Sequence, residues 1–156
     1  MNSYCEMVFN QIHVNVQSLT AIIDEVTEEE LAYRPLPHKR SIQELLQHLC
    51  LICSADYSIS SGYSADKMND FYLQHPAYTK LELKTALIDG FNQLKAAYSS
   101  FDERKLFSLQ TSYWGCTYTC FEWLLEIQSH LYHHRAELYT HLTCYRRKGL
   151  DIVLFE

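Results

Sequence analysis

Apolar side chains return at helical spacing through four stretches of this chain, and no stretch reads convincingly as a strand. Over residues 4–26 they are Phe9, Ile12, Val16, Leu19, Ile23 and Val26. From Ser41 to about Tyr57 they are Ile42, Leu45, Leu46, Leu49 and Cys53, opened by Ser41 with Glu44 three residues on, the pattern of a capping box. Residues 81–101 repeat the spacing through Leu83, Leu87, Phe91, Leu94 and Tyr98. Residues 120–145 repeat it through Leu124, Ile127, Leu131, Leu138 and Leu142, with Thr117 or Thr119 available as the cap. Four amphipathic helices with connections of this length imply an all-α four-helix bundle, and 156 residues suit one domain over 1–156. Only four Gly and three Pro interrupt the chain, too little punctuation for a many-stranded architecture.

The connections have signals of their own. Thr27 and Glu30 form a second capping pattern that starts a short helical turn, after which Pro35 and Pro37 force an extended link. Residues 58–78 lose the periodicity and hold Gly62 and Pro76; they read as a loop with one short helical turn at 65–73, a candidate lid. Gly90 costs its helix about 1 kcal/mol relative to Ala, which points to a close helix contact or a tolerated weakness. Residues 107–117 read as a connection, and the terminal DIVLFE is apolar enough to fold back onto the bundle.

A charge of -6 argues against binding to nucleic acid. The short Arg146-Arg147-Lys148 cluster is better suited to the carbonyl end of the last helix. The first residues carry no basic leader, and no run of about 18 apolar residues occurs, so the expectation is a cytoplasmic protein without a membrane partner. Six cysteines are then expected as reduced thiols. Cys50-x-x-Cys53 lies inside a helical stretch, and with Cys116 and Cys120 it reads as core packing rather than a redox or zinc motif.

The run EIQSHLYHHRAEL sets His130 and His134 four residues apart, hence on one face of the last helix. His134 projects within the apolar stripe and His130 at its edge, whereas His133 points away, toward solvent. Two imidazoles one turn apart on a buried side repel if both are charged, and a shared cation relieves this; a third ligand must come from elsewhere in the chain. On the second helix His48 projects just off the inner face.

Ser41-Ile42-Gln43-Glu44-Leu45-Leu46-Gln47-His48-Leu49 resembles the S-h-x-E-L-L-x-H-h entry to the second helix of the DinB superfamily, the DinB/YfiT-like metal-binding four-helix bundles. The run from His130 to Leu138 resembles that family's H-x-x-x-H-R-G-Q-L, with Ala136-Glu137 where Gly-Gln is usual. The resemblance covers essentially the whole chain. It implies that His48, His130 and His134 coordinate one divalent metal ion, with open positions for water or substrate. Zinc or nickel suits imidazole first, and iron, manganese or copper are alternatives. The family's thiol-dependent members imply a transferase, of the bacillithiol type, or a hydrolase acting on a small electrophile, with a low-molecular-weight thiol as co-substrate, and the family's frequent dimers imply a homodimer. The other reading is a noncatalytic, metal-binding or stress-associated dimeric bundle.

Glu137, one turn past His134, is the candidate catalytic base, or it accepts the outer N–H of an imidazole; Glu126 and Glu44 each precede a proposed ligand by four residues. Arg135 is placed to grip a substrate carboxylate or to form a structural ion pair. The loop over 58–78 or the Tyr113-Trp114 segment would close the pocket.

Overall fold

The computed structural model describes residues 2–155. Seven helices are present among them: α1 (Ser3–Glu25), α2 (Glu28–Leu31), α3 (Ile42–Ser60), α4 (Ala65–Gln74), α5 (Lys80–Ser99), α6 (Glu103–Leu106) and α7 (Cys120–Arg146). Their starts follow the capping residues. Ser41 Oγ accepts from the Glu44 amide at 3.2 Å while Glu44 Oε2 accepts from the Ser41 amide at 2.8 Å, so two otherwise orphaned N–H groups are satisfied at the head of α3. The same reciprocal box opens α2 from Thr27, α5 from Thr79 and α7 from Thr119. At its far end α7 stops at Arg147, in the left-handed region at φ 54°.

The four long helices close a ring in which α3 packs on α5 and α7, and α1 packs on the same two. Ile12, Leu19, Leu49, Leu87, Leu94, Leu124, Leu131 and Leu138 fill its axis with no exposed surface. Each contributes about 1.5–3 kcal/mol relative to exposure. Gly90 lies at the contact of α5 with α3: a Cβ there would stand 3.4 Å from Ser54 Oγ and 3.5 Å from Cys53 Cβ, ordinary van der Waals distances.

In three places the structure differs from the expectation. Residues 107–117 are not a plain connection: β1 (Leu109–Thr111) and β2 (Thr117–Thr119) form a small antiparallel hairpin, pairing Leu109 with Thr119 and Thr111 with Thr117. Three-residue strands are too short to show an alternation, and the hairpin is anchored from outside, Trp123 Nε1 donating to the Gln110 carbonyl at 3.1 Å. The turn foreseen within 58–78 is a ten-residue helix, α4, whose single buried residue, Met68, packs on Ala55 and Ile59 of α3 and on Trp123. Only Phe71, three residues on and half-buried, joins it in that contact, too short a stripe to read. Arg146, finally, does more than face the end of its own helix. Its Nη2 donates to Glu30 Oε2 at 2.8 Å and its Nε to the other carboxylate oxygen, tying α7 to α2 and holding the Glu30 carboxyl down at about 2.

All six cysteines are unpaired, and Cys50 and Cys53 are buried in the core, where the apolar surroundings push both thiols up. No helix among the described residues is long and apolar enough to cross a membrane.

Candidate metal centre

Helices α3 and α7 are neighbours in the ring, which brings the second-helix histidine to the pair on the last helix. The ring centroids of His48 and His130 lie 5.1 Å apart, those of His48 and His134 4.6 Å, and those of His130 and His134 4.9 Å. Each offers a ring nitrogen such that the three nitrogens all fall within 4.8 Å of one another. His48 Nε2 and His130 Nε2 are 3.2 Å apart.

The outer nitrogens on α7 are held by carboxylates. His130 Nδ1 lies 2.7 Å from Asp56 Oδ2 on α3, and His134 Nδ1 lies 2.8 Å from Glu137 Oε2. An ionised carboxylate only accepts, so each Nδ1 carries a hydrogen, and in the neutral ring Nε2 is the atom with the lone pair. The third ring, His48, has no carboxylate hydrogen bond among the described residues. Burial, then the charge of Arg40 and the adjacent imidazoles, push His48 down to about 3. Burial also lowers His134, against the pull of Glu137. For His130 burial is again the largest single effect and opposes the charge, but the Asp56 hydrogen bond, the Asp56 charge and the Glu126 charge together outweigh it, and the net shift is upward.

This donor set fits a divalent ion. A proton shared between His48 and His130 would satisfy only one facing pair of nitrogens and leave His134 aimed at the same region; a cation satisfies all three. Two nitrogens each about 2.1 Å from one ion would be separated by about 3.0 Å at an octahedral angle and about 3.4 Å at a tetrahedral one. The observed 3.2 Å lies between these values.

Asp56 is the participant that the sequence reading missed. It is 8% exposed and stands eight residues beyond His48, a little over two turns along α3. Its signal is an acid beyond the capping turn of α3, beside the buried Ala55, whereas a carboxylate four residues before a histidine points to Glu44 and Glu126. Glu44 caps α3 and pairs with Arg34 at 2.7 Å, outside the centre. Glu126 lies beside Asp56 and His130, with Oε2 buried and without a hydrogen-bond partner; burial and the Asp56 charge push its carboxyl up. His133 is exposed, as its direction on the helix indicates. Glu137 stands on the outer side of His134, its other oxygen 3.5 Å from Lys39 Nζ and from His141 Nε2. Of its two foreseen roles, this contact fits the one that orients an imidazole.

Arg135 is a correction. It is 3% exposed and faces α1, where Nη1 donates to Ser18 Oγ at 2.7 Å and to the Leu154 carbonyl at 2.6 Å. Its guanidinium lies against the rings of both Tyr132 and Phe155, 4.6 and 4.9 Å from their centroids. It is a structural tie to the folded-back tail, made without a carboxylate partner among the described residues. Tyr113 and Trp114 are exposed on the hairpin, and Trp114 packs toward Trp123 rather than over the histidines. The chain that borders His48 is the far end of the 58–78 stretch, and it does so around a cavity of about 460 Å³.

Because Asp56 fixes the tautomer and aim of His130, Asp56→Asn is expected to weaken metal affinity about 10–100-fold. Competition against a chromophoric chelator measures it, and an unchanged affinity would show that the helices alone aim the ring.

No family model matches the sequence, and no curated protein matches it. Solved structures do. A crystal structure of a candidate member of the DinB family from Exiguobacterium sibiricum is 32% identical, with a TM-score of 0.83 over 97% of this chain and 98% of the other. A DinB-like protein from Bacillus subtilis is 14% identical, with a TM-score of 0.71 over 96% of this chain and 99% of the other. One from Bacillus cereus is 13% identical, with a TM-score of 0.68 over 97% and 95%. At those lower identities the likeness is one of fold.

Proposed function

This chain belongs to the DinB family, and from that premise we propose that it is a divalent-metal-dependent enzyme of one domain whose ion is held by His48, His130 and His134. The observation that carries the reading is the convergence of three ring nitrogens within 4.8 Å, two of the rings being backed by carboxylates at 2.7 and 2.8 Å. When bound, a divalent ion supplies Lewis acidity there, drawing the proton from a coordinated water or thiol near neutral pH. The protein's own groups do the rest. Asp56 and Glu137 hold His130 and His134 in the tautomer that presents Nε2, and burial keeps His48 a lone-pair donor. The substrate is a small electrophile attacked by a low-molecular-weight thiol or by water, which makes the activity a transfer or a hydrolysis. Zinc or nickel is the first assignment for an all-imidazole set. Six unpaired cysteines support a reducing, cytoplasmic setting, and the exposed rings of Tyr113 and Trp114 support a homodimer.

Metal analysis of the purified protein is expected to return one divalent ion per chain. Turnover of a small thiol with a generic aryl halide should disappear with a chelator and return with added metal. One bound ion with no chelator-sensitive turnover on thiol or hydrolytic substrates would remove the enzymatic half and favour a noncatalytic metal-binding bundle.

A further inference from the structure

The cavity that borders His48 lies between the N-terminal half of α3 and the segment that joins α4 to α5. At about 460 Å³ it is within the range of small-molecule sites. Its walls are fixed. Gln43 and Gln47 of α3 both donate to the Ala77 carbonyl, at 3.2 and 3.0 Å, so the joining segment is clasped to the helix that carries His48. Tyr72, Pro76 and Tyr78 give the pocket apolar and aromatic faces.

One cation enters this pocket. Arg40 stands at the head of α3 in a turn pinned by the Lys39 amide to the Leu36 carbonyl at 2.9 Å and by the Ile42 amide to the Tyr33 carbonyl at 2.9 Å. Its neighbours are neutralised: Arg34 pairs with Glu44 at 2.7 Å and Lys39 meets Glu137 at 3.5 Å. Among the described residues no carboxylate pairs with Arg40. An exposed guanidinium without a protein partner among the described residues, at the rim of an aromatic-walled pocket whose lining reaches His48, is a poor structural device and a good anion receptor. Its field also reaches the cluster, adding to burial in lowering His48. In a chain of net charge -6 such a local positive site is selective rather than general.

We propose that this pocket binds a small organic anion, its carboxylate on Arg40 and its reacting group turned toward His48, so that Arg40 sets the substrate class of the centre. This rests on the three histidines holding the ion, and it narrows the small substrate to a carboxylate-bearing one.

The test compares β-mercaptopropionate with its neutral amide. On cobalt(II)-loaded protein the thiolate-to-cobalt absorption band reports binding of each probe; on metal-free protein, ligand NMR line broadening does. The unsubstituted protein is expected to favour the carboxylate about 10-fold, and Arg40→Gln to bring the two probes within about twofold while leaving the affinity for the amide in place. Arg40→Lys should keep part of the preference, and Lys39→Gln all of it. No preference in the unsubstituted protein, a preference that survives Arg40→Gln, or one lost equally in Lys39→Gln would each overturn the assignment. If the protein takes up no cobalt, the metal reading fails by itself. The NMR comparison then decides the anion site: a carboxylate preference that Arg40→Gln removes upholds it, and its absence ends it.

Discussion

His134→Ala is expected to leave a folded helical protein that no longer retains stoichiometric metal. Structural zinc sites with four protein ligands are worth about 10–16 kcal/mol, so each ligand accounts for about 3–4 kcal/mol and its removal for a loss of about 100- to 1,000-fold in affinity. The fold should survive because alanine is the best helix former and the side chain removed lies at the rim of the core, with 12% of its surface exposed. Glu137, released from His134, still has Lys39 and His141 beside it. Far-UV circular dichroism and elemental analysis of the same preparation read both halves of the prediction. His133→Ala is the matched control, one residue away and exposed, and should keep its ion. Full metal content in the His134 variant would remove the assignment of the centre.

Arg135→Ala should act on stability and leave the ion alone. The guanidinium bridges α1 to the C-terminal tail through Ser18 and Leu154 and packs against the rings of Tyr132 and Phe155. Truncation removes the stacking and the hydrogen bonds and leaves a void, at a cost of about 3 kcal/mol, equivalent to a fall of about 6–12 °C in Tm for a domain of this size. Residues 150–155 should become susceptible to proteolysis. Metal content and the preference between the two thiol probes should not change, which separates this arginine from Arg40. A stable variant that had lost the carboxylate preference would instead place Arg135 at the substrate.

The bundle was legible because its helices announce themselves twice, once by apolar spacing and once by capping residues. Ser41 with Glu44 locates the start of α3 to the residue, and of the two threonines open as the cap of α7, Thr117 and Thr119, it is Thr119 that fills the position. What stayed hidden has physical reasons. The hairpin is held by a tryptophan from a later helix, and α4 docks through Met68 and Phe71 alone, so neither shows a repeating apolar pattern in its own sequence. Arg135 stays open between a substrate grip and a structural ion pair because a helical projection gives a direction about its own axis but not which neighbour lies there; the neighbour is α1, and the role is structural. Asp56 was overlooked because its partner is on another helix: His130 is 74 positions away, and no periodicity within α3 reports it.

Helix α3 carries His48 on one turn and Asp56 two turns further on, and the second of these aims a ring that belongs to α7. A slip of α3 along α7 by a single turn would therefore spoil an inner donor and an outer support in the same movement. Any ion held between them works as a register pin for the two helices. Occupancy at about 1,000 times the dissociation constant would add about 4 kcal/mol to the folded form, and loss of the ion would be felt first as sliding freedom along that one seam of the bundle.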